Sequence, residues 1–275
     1  MATIVEMINP LTGLPEQVDK LDHTAQEIDD AVDLAPQLSN PNLLDNWYFA
    51  YPVNQRNVSG TIDTVGYFLD RWKLVSGSVT IGSNGITLNG TIVQILETAV
   101  GTDVTASALT TEGVAVASYD NNSKTISLTG TGQTFVAAKL ELGSQQTLAH
   151  QDANGNWVLN EIPDYGEQLR RCQRYFQVLK SGRGAGLQIN SAKCYAPISL
   201  PVPLRTTPTV SIVGSVGVWN GGMYPVTGII VNQYAGGCEI ILDVSTTNAV
   251  TGTCIVPYAN TQSIKDNFVC LSADL

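Results

Sequence analysis

A mainly β fold follows from three features of this sequence. β-Branched residues recur along it, apolar and polar residues alternate over short runs, and Gly, Asn and Ser break those runs at intervals of about 10 residues. At 275 residues the chain is long enough for two domains. Only 14% of residues are charged against 43% hydrophobic, and the net charge is −10. A nucleic-acid partner requires a Lys/Arg footprint to displace counterions, so none is expected. The segment "MATIVEMINPLTG" has neither a basic start nor a long apolar stretch, and no run reaches the roughly 18 apolar residues of a membrane span. The chain is therefore expected to stay in the cytosol where it is made, with no membrane insertion. Five cysteines, Cys172, Cys194, Cys238, Cys254 and Cys270, are widely spaced and odd in number, which predicts buried free thiols rather than a disulfide framework or zinc pairs.

Taken in order, residues 1–40 form an N-terminal element. Leu11, Leu14, Val18, Leu21, Ala25, Ile28, Val32 and Ala35 alternate in steps of three and four, the seam of a heptad. Pro15 suits a first helical turn and Pro36 a stop, so the spacing predicts a helix from Gly13–Glu16 to Pro36. Its outer face carries Glu16, Asp19, Asp22, Glu27, Asp29, Asp30 and Asp33 against Lys20, and a lone helix of this length is marginal in water. It must dock on its own domain or bundle protomers as a short coiled coil through Val18, Leu21, Ala25, Ile28 and Val32. "PQLSNPN" then reads as a linker.

Residues 41–150 read as about eight short strands, with turns at Ser83-Asn84-Gly85 and Asp120-Asn121-Asn122, a β-sandwich of jelly-roll type. Residues 151–184 connect, with a helix over "IPDYGEQLRRCQRYFQVLK" that Pro163 and Asp164 open and Gly182 caps. Residues 185–275 resume strand patterning and predict a second, C-terminal β-sandwich.

Catalytic constellations do not emerge. The two histidines, His23 and His150, lie far apart in the chain, no Ser sits in GxSxG, and "GRGAG" at Gly182–Gly186 lacks the lysine of a phosphate loop. Asp63, Asp70, Glu97, Glu112 and Glu141 show no pairing that a glycosidase requires. A non-enzymatic binding or structural protein is expected.

Several motifs in a fixed order carry a resemblance. "NPNLLDNWYF" with "PVNQR" and "DRW", then "FVAAKLELGSQQTLAH", "LNEIPDYGEQLRRCQRYFQV", "PISLPVPLRTTPTVSI" and a terminal "LSADL" resemble the tail-fibre and head-fibre structural proteins of tailed bacteriophages and prophages. The likeness extends over nearly the whole chain. It implies a virion protein assembled in the host bacterial cytoplasm, a homo-oligomer expected to be a trimer, attached to other virion proteins through its N-terminal segment. The implied activity is adhesion to a bacterial surface glycan by a tail protein; the alternative is a head fibre or baseplate decoration. The resemblance further makes residues 41–150 a carbohydrate-binding-module-like jelly roll. Such modules hold a structural calcium, for which Asn42, Asp45 and Glu141 offer oxygens.

The aromatic cluster Trp47, Tyr48, Phe49 and Tyr51, with Trp72, is either core or a sugar-stacking platform, and the core reading is expected for Trp47, Phe49 and Trp72. In the C-terminal domain "GVWNGGMYPVTG" puts Trp219, Asn220 and Tyr224 in a Gly-rich turn between strands, the expected carbohydrate-binding residues. A protomer interface is their rival role.

Overall fold

The computed structural model describes residues 4–8, 15–19, 39–180, 186–198, 200–213, 216–219, 222–234, 237–244, 254–259 and 268–275. The protein is mainly β, with 55% of it in antiparallel strands and one short helix among the described residues.

Strands β1 (Ile4–Ile8) and β2 (Pro15–Asp19) pair as a hairpin with Val5 opposite Val18. This corrects the beginning of the expected helix, for Val18 is a strand residue. "IVEMI" supplies a full set of ladder partners, and Pro15 stands first in its strand, where the missing N–H is tolerated. Leu21, Ala25, Ile28 and Val32 lie outside the described residues.

The first β unit contains β3 (Gly60–Ile62), β4 (Gly66–Leu69), β5 (Trp72–Gly82), β6 (Gly85–Ile95), β7 (Val104–Thr110), β8 (Gly113–Val116), β9 (Ser118–Asp120) and β10 (Thr125–Leu142). They join in one sheet ordered β3-β5-β6-β10-β7-β8, with β4 beside β5 and β9 beside β10. The long strand β10 changes neighbours near Phe135. Its first half pairs with β6 and β9; its second half pairs with β7 and takes hydrogen bonds from the opening segment, Leu43 N–H to Leu140 O and Phe49 N–H to Val136 O. Bulges at Thr131/Gln133 and Phe135/Ala137 provide the bend. One hydrogen-bonded sheet thus closes over a single core of Phe49, Phe68, Trp72, Leu88, Ile126 and Leu140.

A row of glycines makes the inner packing possible. Gly77 pairs with Gly90, and Gly90 with Gly130, across β5, β6 and β10. A Cβ on Gly90, at φ +146°, would lie 2.1 Å from Ser76 O.

The short hairpin β11 (Ala149–Gln151) and β12 (Trp157–Leu159) leads to helix α1 (Tyr165–Gln173). Asp164 caps it as the sequence predicts, its carboxylate accepting from Glu167 N–H at 2.7 Å. The helix nevertheless ends at Gln173, well before Gly182. Phe176–Lys180 is instead strand β13, paired residue for residue with β21 (Phe268–Ser272), and Tyr175 O accepts from Ala273 N–H. A distant strand with a complete ladder outweighs the local helical period of "RYFQVLK".

The C-terminal unit also differs from the expected sandwich. Strands β14 (Gly186–Asn190), β15 (Lys193–Ile198), β17 (Val216–Trp219), β18 (Met223–Tyr234), β19 (Gly237–Val244) and β20 (Cys254–Ala259) form a closed barrel ordered β14-β15-β19-β18-β17-β20. Closure leaves no free sheet edge. Strand β16 (Thr209–Val213) lies outside it, flanking β21 in the sheet β13-β21-β16. Val210, Val269 and Leu271 of that sheet share a core with Cys194, Val218 and Val231 of the barrel. The barrel is therefore two chain excursions, one between β13 and β16 and one between β16 and β21.

Substituting Gly90→Ala is expected to destabilise the protein by about 2–4 kcal/mol, since both the φ value and the close carbonyl oppose a methyl group. Gly101→Ala, where φ is +91° but no atom lies within 4 Å, should cost only about 1 kcal/mol. Urea denaturation midpoints of the two variants test the difference.

Candidate functional site

The opening segment resolves the aromatic question. Trp47, Phe49 and Trp72 are core, with Phe49 edge-on to Trp72 at 5.1 Å between ring centroids. Tyr48 is half-buried, whereas Tyr51 is exposed and meets the ring of Tyr165 on α1 at 5.0 Å. The "DRW" motif is the tight turn of hairpin β4–β5, since Leu69 pairs with Trp72. Arg71 adopts φ 71° there and is only 1% exposed. A buried arginine in a left-handed turn requires partners.

Those partners form a charged joint. Arg71 Nε donates to Asp45 Oδ2 at 3.0 Å, and Arg171 Nε of α1 lies 2.7 Å from Asp45 Oδ1. The Arg71 guanidinium stacks on Tyr175 at 3.5 Å, and its Nη2 donates to Ile95 O. Arg174 reaches both oxygens of Glu97 through Nε and Nη2, at 3.0 and 3.1 Å, which holds the Glu97 carboxyl below its ordinary range. The joint opens into a cleft of about 350 Å³ lined by Asp45, Arg71, Glu97, Arg171, Arg174 and Tyr175. Every charged group in its wall has an ion-pair partner, so its chemistry is that of a latch between helix and sheet.

A second latch uses the chain's last residues. Arg56 pairs with Asp274 and lies 3.8 Å over the ring of Phe176, while Tyr67 donates to Leu275 O. Arg205 Nη1 donates to Ala273 O at 3.1 Å and so anchors the end of the chain beside β21. Asp70 sits between the units. Its carboxylate accepts from Gln55 N–H at 2.6 Å, and the Gln55 side chain bridges on to Phe176 O. Burial pushes the Asp70 carboxyl up to about 6. Burial likewise raises the thiol of Cys172, and Cys172, Cys194 and Cys270 are buried and free, as expected.

The other carboxylates considered for catalysis include Glu141, which is buried with Lys139 at 3.7 Å and accepts from Thr147 N–H and from the Thr147 hydroxyl. The oxygens suggested for calcium do not fit a cation. Asn42 Oδ1 accepts from Leu44 and Leu140 N–H, Asp45 carries two guanidiniums, and Glu141 faces an ammonium group. No group of three metal-ligating side chains occurs among the described residues.

In the barrel, Trp219 pairs with Met223 and Val218 with Tyr224 where β17 turns into β18. Tyr224 is half-buried and packs on the barrel core. Asn220 lies outside the described residues. Sequence reasoning missed Tyr165 and Gln168 as neighbours of the Tyr51 region; the aromatic density around Tyr51 was the one available signal. Comparison with known proteins finds no matching family model, curated protein or solved structure.

The Asp70 environment has a pH signature. A carboxyl raised from 3.8 to about 6 on folding favours its neutral form in the native state, so its contribution is fully present below pH 3.8. It is lost as pH rises toward 6, by about 3 kcal/mol in all. Asp70→Asn keeps an oxygen for Gln55 N–H and cannot ionise. Between pH 4 and pH 7 the wild type is expected to lose about 2 kcal/mol of stability relative to this variant, read from urea denaturation of both proteins.

Proposed function

We propose that this chain is a non-catalytic structural fibre protein of a tailed-bacteriophage virion, and that it binds a bacterial surface glycan as part of the tail. The observation that carries the reading is the mounting of the barrel. Its excursions spring from the sheet β13-β21-β16, which the terminal residues Ala273, Asp274 and Leu275 tie to the first β unit. The ends of β17 and β18, with Trp219 and Tyr224, are thereby carried on a firmly seated terminal unit, as adhesion under load requires, and Asn220 stands between them in the sequence.

In this reading the first unit is a jelly-roll-like shaft, and residues 1–40 attach the protomers to other virion proteins and bundle them, in a trimer. Repetition of a weak site threefold raises avidity by about 100-fold or more without new contacts. The charge-poor, turn-rich strands and the ordered motifs "NPNLLDNWYF", "LNEIPDYGEQLRR" and "LSADL" support it. The alternative of a head fibre or baseplate decoration shares all of these features and differs in location on the particle.

Antibody raised against residues 185–275 is expected to label the tail tip of the parent virion in immunogold electron microscopy; label on the head overturns the tail-receptor reading. Trp219→Ala is expected to weaken glycan binding at least tenfold with the fold retained. Tyr224→Ala, by removing a core contact, should lower stability by about 1–3 kcal/mol. Glycan-array titration together with thermal denaturation separates the two effects.

A further inference from the structure

The exposed tyrosine left over from the core adjoins a small recess on the opposite side of α1's root. Tyr51 is 66% exposed, Tyr165 40% and Ile162 71%, and with Tyr48 and Pro163 they surround a recess of about 40 Å³. Asn46 and Gln168 complete its wall. Tyr51 and Tyr165 come from segments more than a hundred residues apart, so their approach to 5.0 Å is a product of the fold.

Both rings are held in advance of any ligand. Tyr51 N–H donates to Tyr48 O, and the turn beyond it is closed by Asn46, whose Oδ1 accepts from Val53 N–H and whose Nδ2 donates to Val53 O. Tyr165 opens the helix directly after its Asp164 cap. Aromatic faces preset in this way lose little freedom when a ring stacks on them.

Gln168 supplies the polar side of the recess. It is 7% exposed, and its Oε1 accepts from Asn46 N–H at 2.6 Å. That bond orients the amide and leaves Nε2 without a protein partner among the described residues. Nε2 is not among the buried atoms without a partner, so it meets water at the recess, and an incoming carbonyl oxygen can take the place of that water.

We propose that this recess is a carbohydrate subsite for a neutral N-acetylhexosamine. The sugar's apolar ring face stacks on Tyr51 and Tyr165, its acetamido carbonyl accepts from Gln168 Nε2, and the acetyl methyl enters the recess beside Tyr48, Ile162 and Pro163. The volume suits a methyl-sized group and excludes a whole pyranose ring. The recess is lined by no cationic side chain, and a net charge of −10 disfavours uronic or sialic acids. The inference rests on the glycan-binding reading for its ligand class, but places the site on the first unit and not on the barrel hairpin.

The test titrates the full chain with the β-1,4-linked trimer of N-acetylglucosamine and with the corresponding trimer of glucose, read by saturation-transfer NMR and calorimetry. The acetylated trimer is expected to bind at least tenfold more tightly than the glucose trimer. Tyr51→Ala and Ile162→Asp, both at exposed positions, should each weaken it at least tenfold, and Gln168→Glu, which keeps Oε1 for Asn46 and removes the donor, should do the same with thermal stability checked in parallel. Trp219→Ala should leave this binding unchanged. Equal affinity for the two trimers, or binding insensitive to Tyr51→Ala, overturns the inference while leaving the glycan reading intact; no binding to any sugar on a glycan array sinks both. Dissociation of an oligomer on Tyr51→Ala, seen by light scattering without loss of sugar binding, identifies the patch as a protomer contact and also overturns it.

Discussion

Asp45 and Arg71 are both taken out of water in a chain that has few charges to spare, and an ion pair in that position is costly unless the polar atoms around it are satisfied. The surroundings meet that demand except at Arg71 Nη1, which is buried without a hydrogen-bond partner. Gln94 accepts from Asp45 N–H and donates to Asp45 O, replacing a strand neighbour for one residue. Arg171 shares the Asp45 carboxylate, and the Arg71 guanidinium is covered by the Tyr175 ring. Next door, Asn46 takes a left-handed conformation, φ 52°, and its side chain and backbone fasten Val53, Asp70, Trp72 and Gln168. Two adjacent residues therefore determine where the opening segment, the β4–β5 turn and helix α1 meet. Removing either charge of a buried pair typically costs about 3–5 kcal/mol, because the other is left stranded.

The position of the barrel follows from this joint at one remove. Arg171 and Arg174 fix α1 against the sheet, α1 leads through Tyr175 into β13, and β13 pairs with β21, whose last residues return to Arg56 and Tyr67. Both ends of the C-terminal unit are thus tied to the first. The aromatic recess of Tyr51 and Tyr165 lies beside the same joint, through Asn46 and Gln168.

Much of the β content was readable locally. The turns at Ser83-Asn84 and Asp120-Asn121-Asn122 stand where their residues predict, as do the Asp164 cap and the burial of Trp47, Phe49 and Trp72. The errors share one cause. Val18 and Phe176–Lys180 fit a helical period, yet each lies in a strand whose partner sits elsewhere in the chain, Val5 in one case and Phe268–Ser272 in the other. Periodicity describes a segment by itself and carries no record of what pairs with it.

The candidate sites divide along the same line. Sequence density drew attention to the aromatics near Tyr51, but Gln168 and Tyr165 reach that tyrosine only because the charged joint brings α1 to the opening segment. The sequence by itself determined the β class, the turn positions and the aromatic core, since propensity, alternation and turn chemistry act over a few neighbouring residues. Tertiary structure decided the length of α1, the closure of the barrel and the grouping of Tyr51, Tyr165 and Gln168, because hydrogen-bond ladders and buried charge pairs join residues that are far apart in the chain.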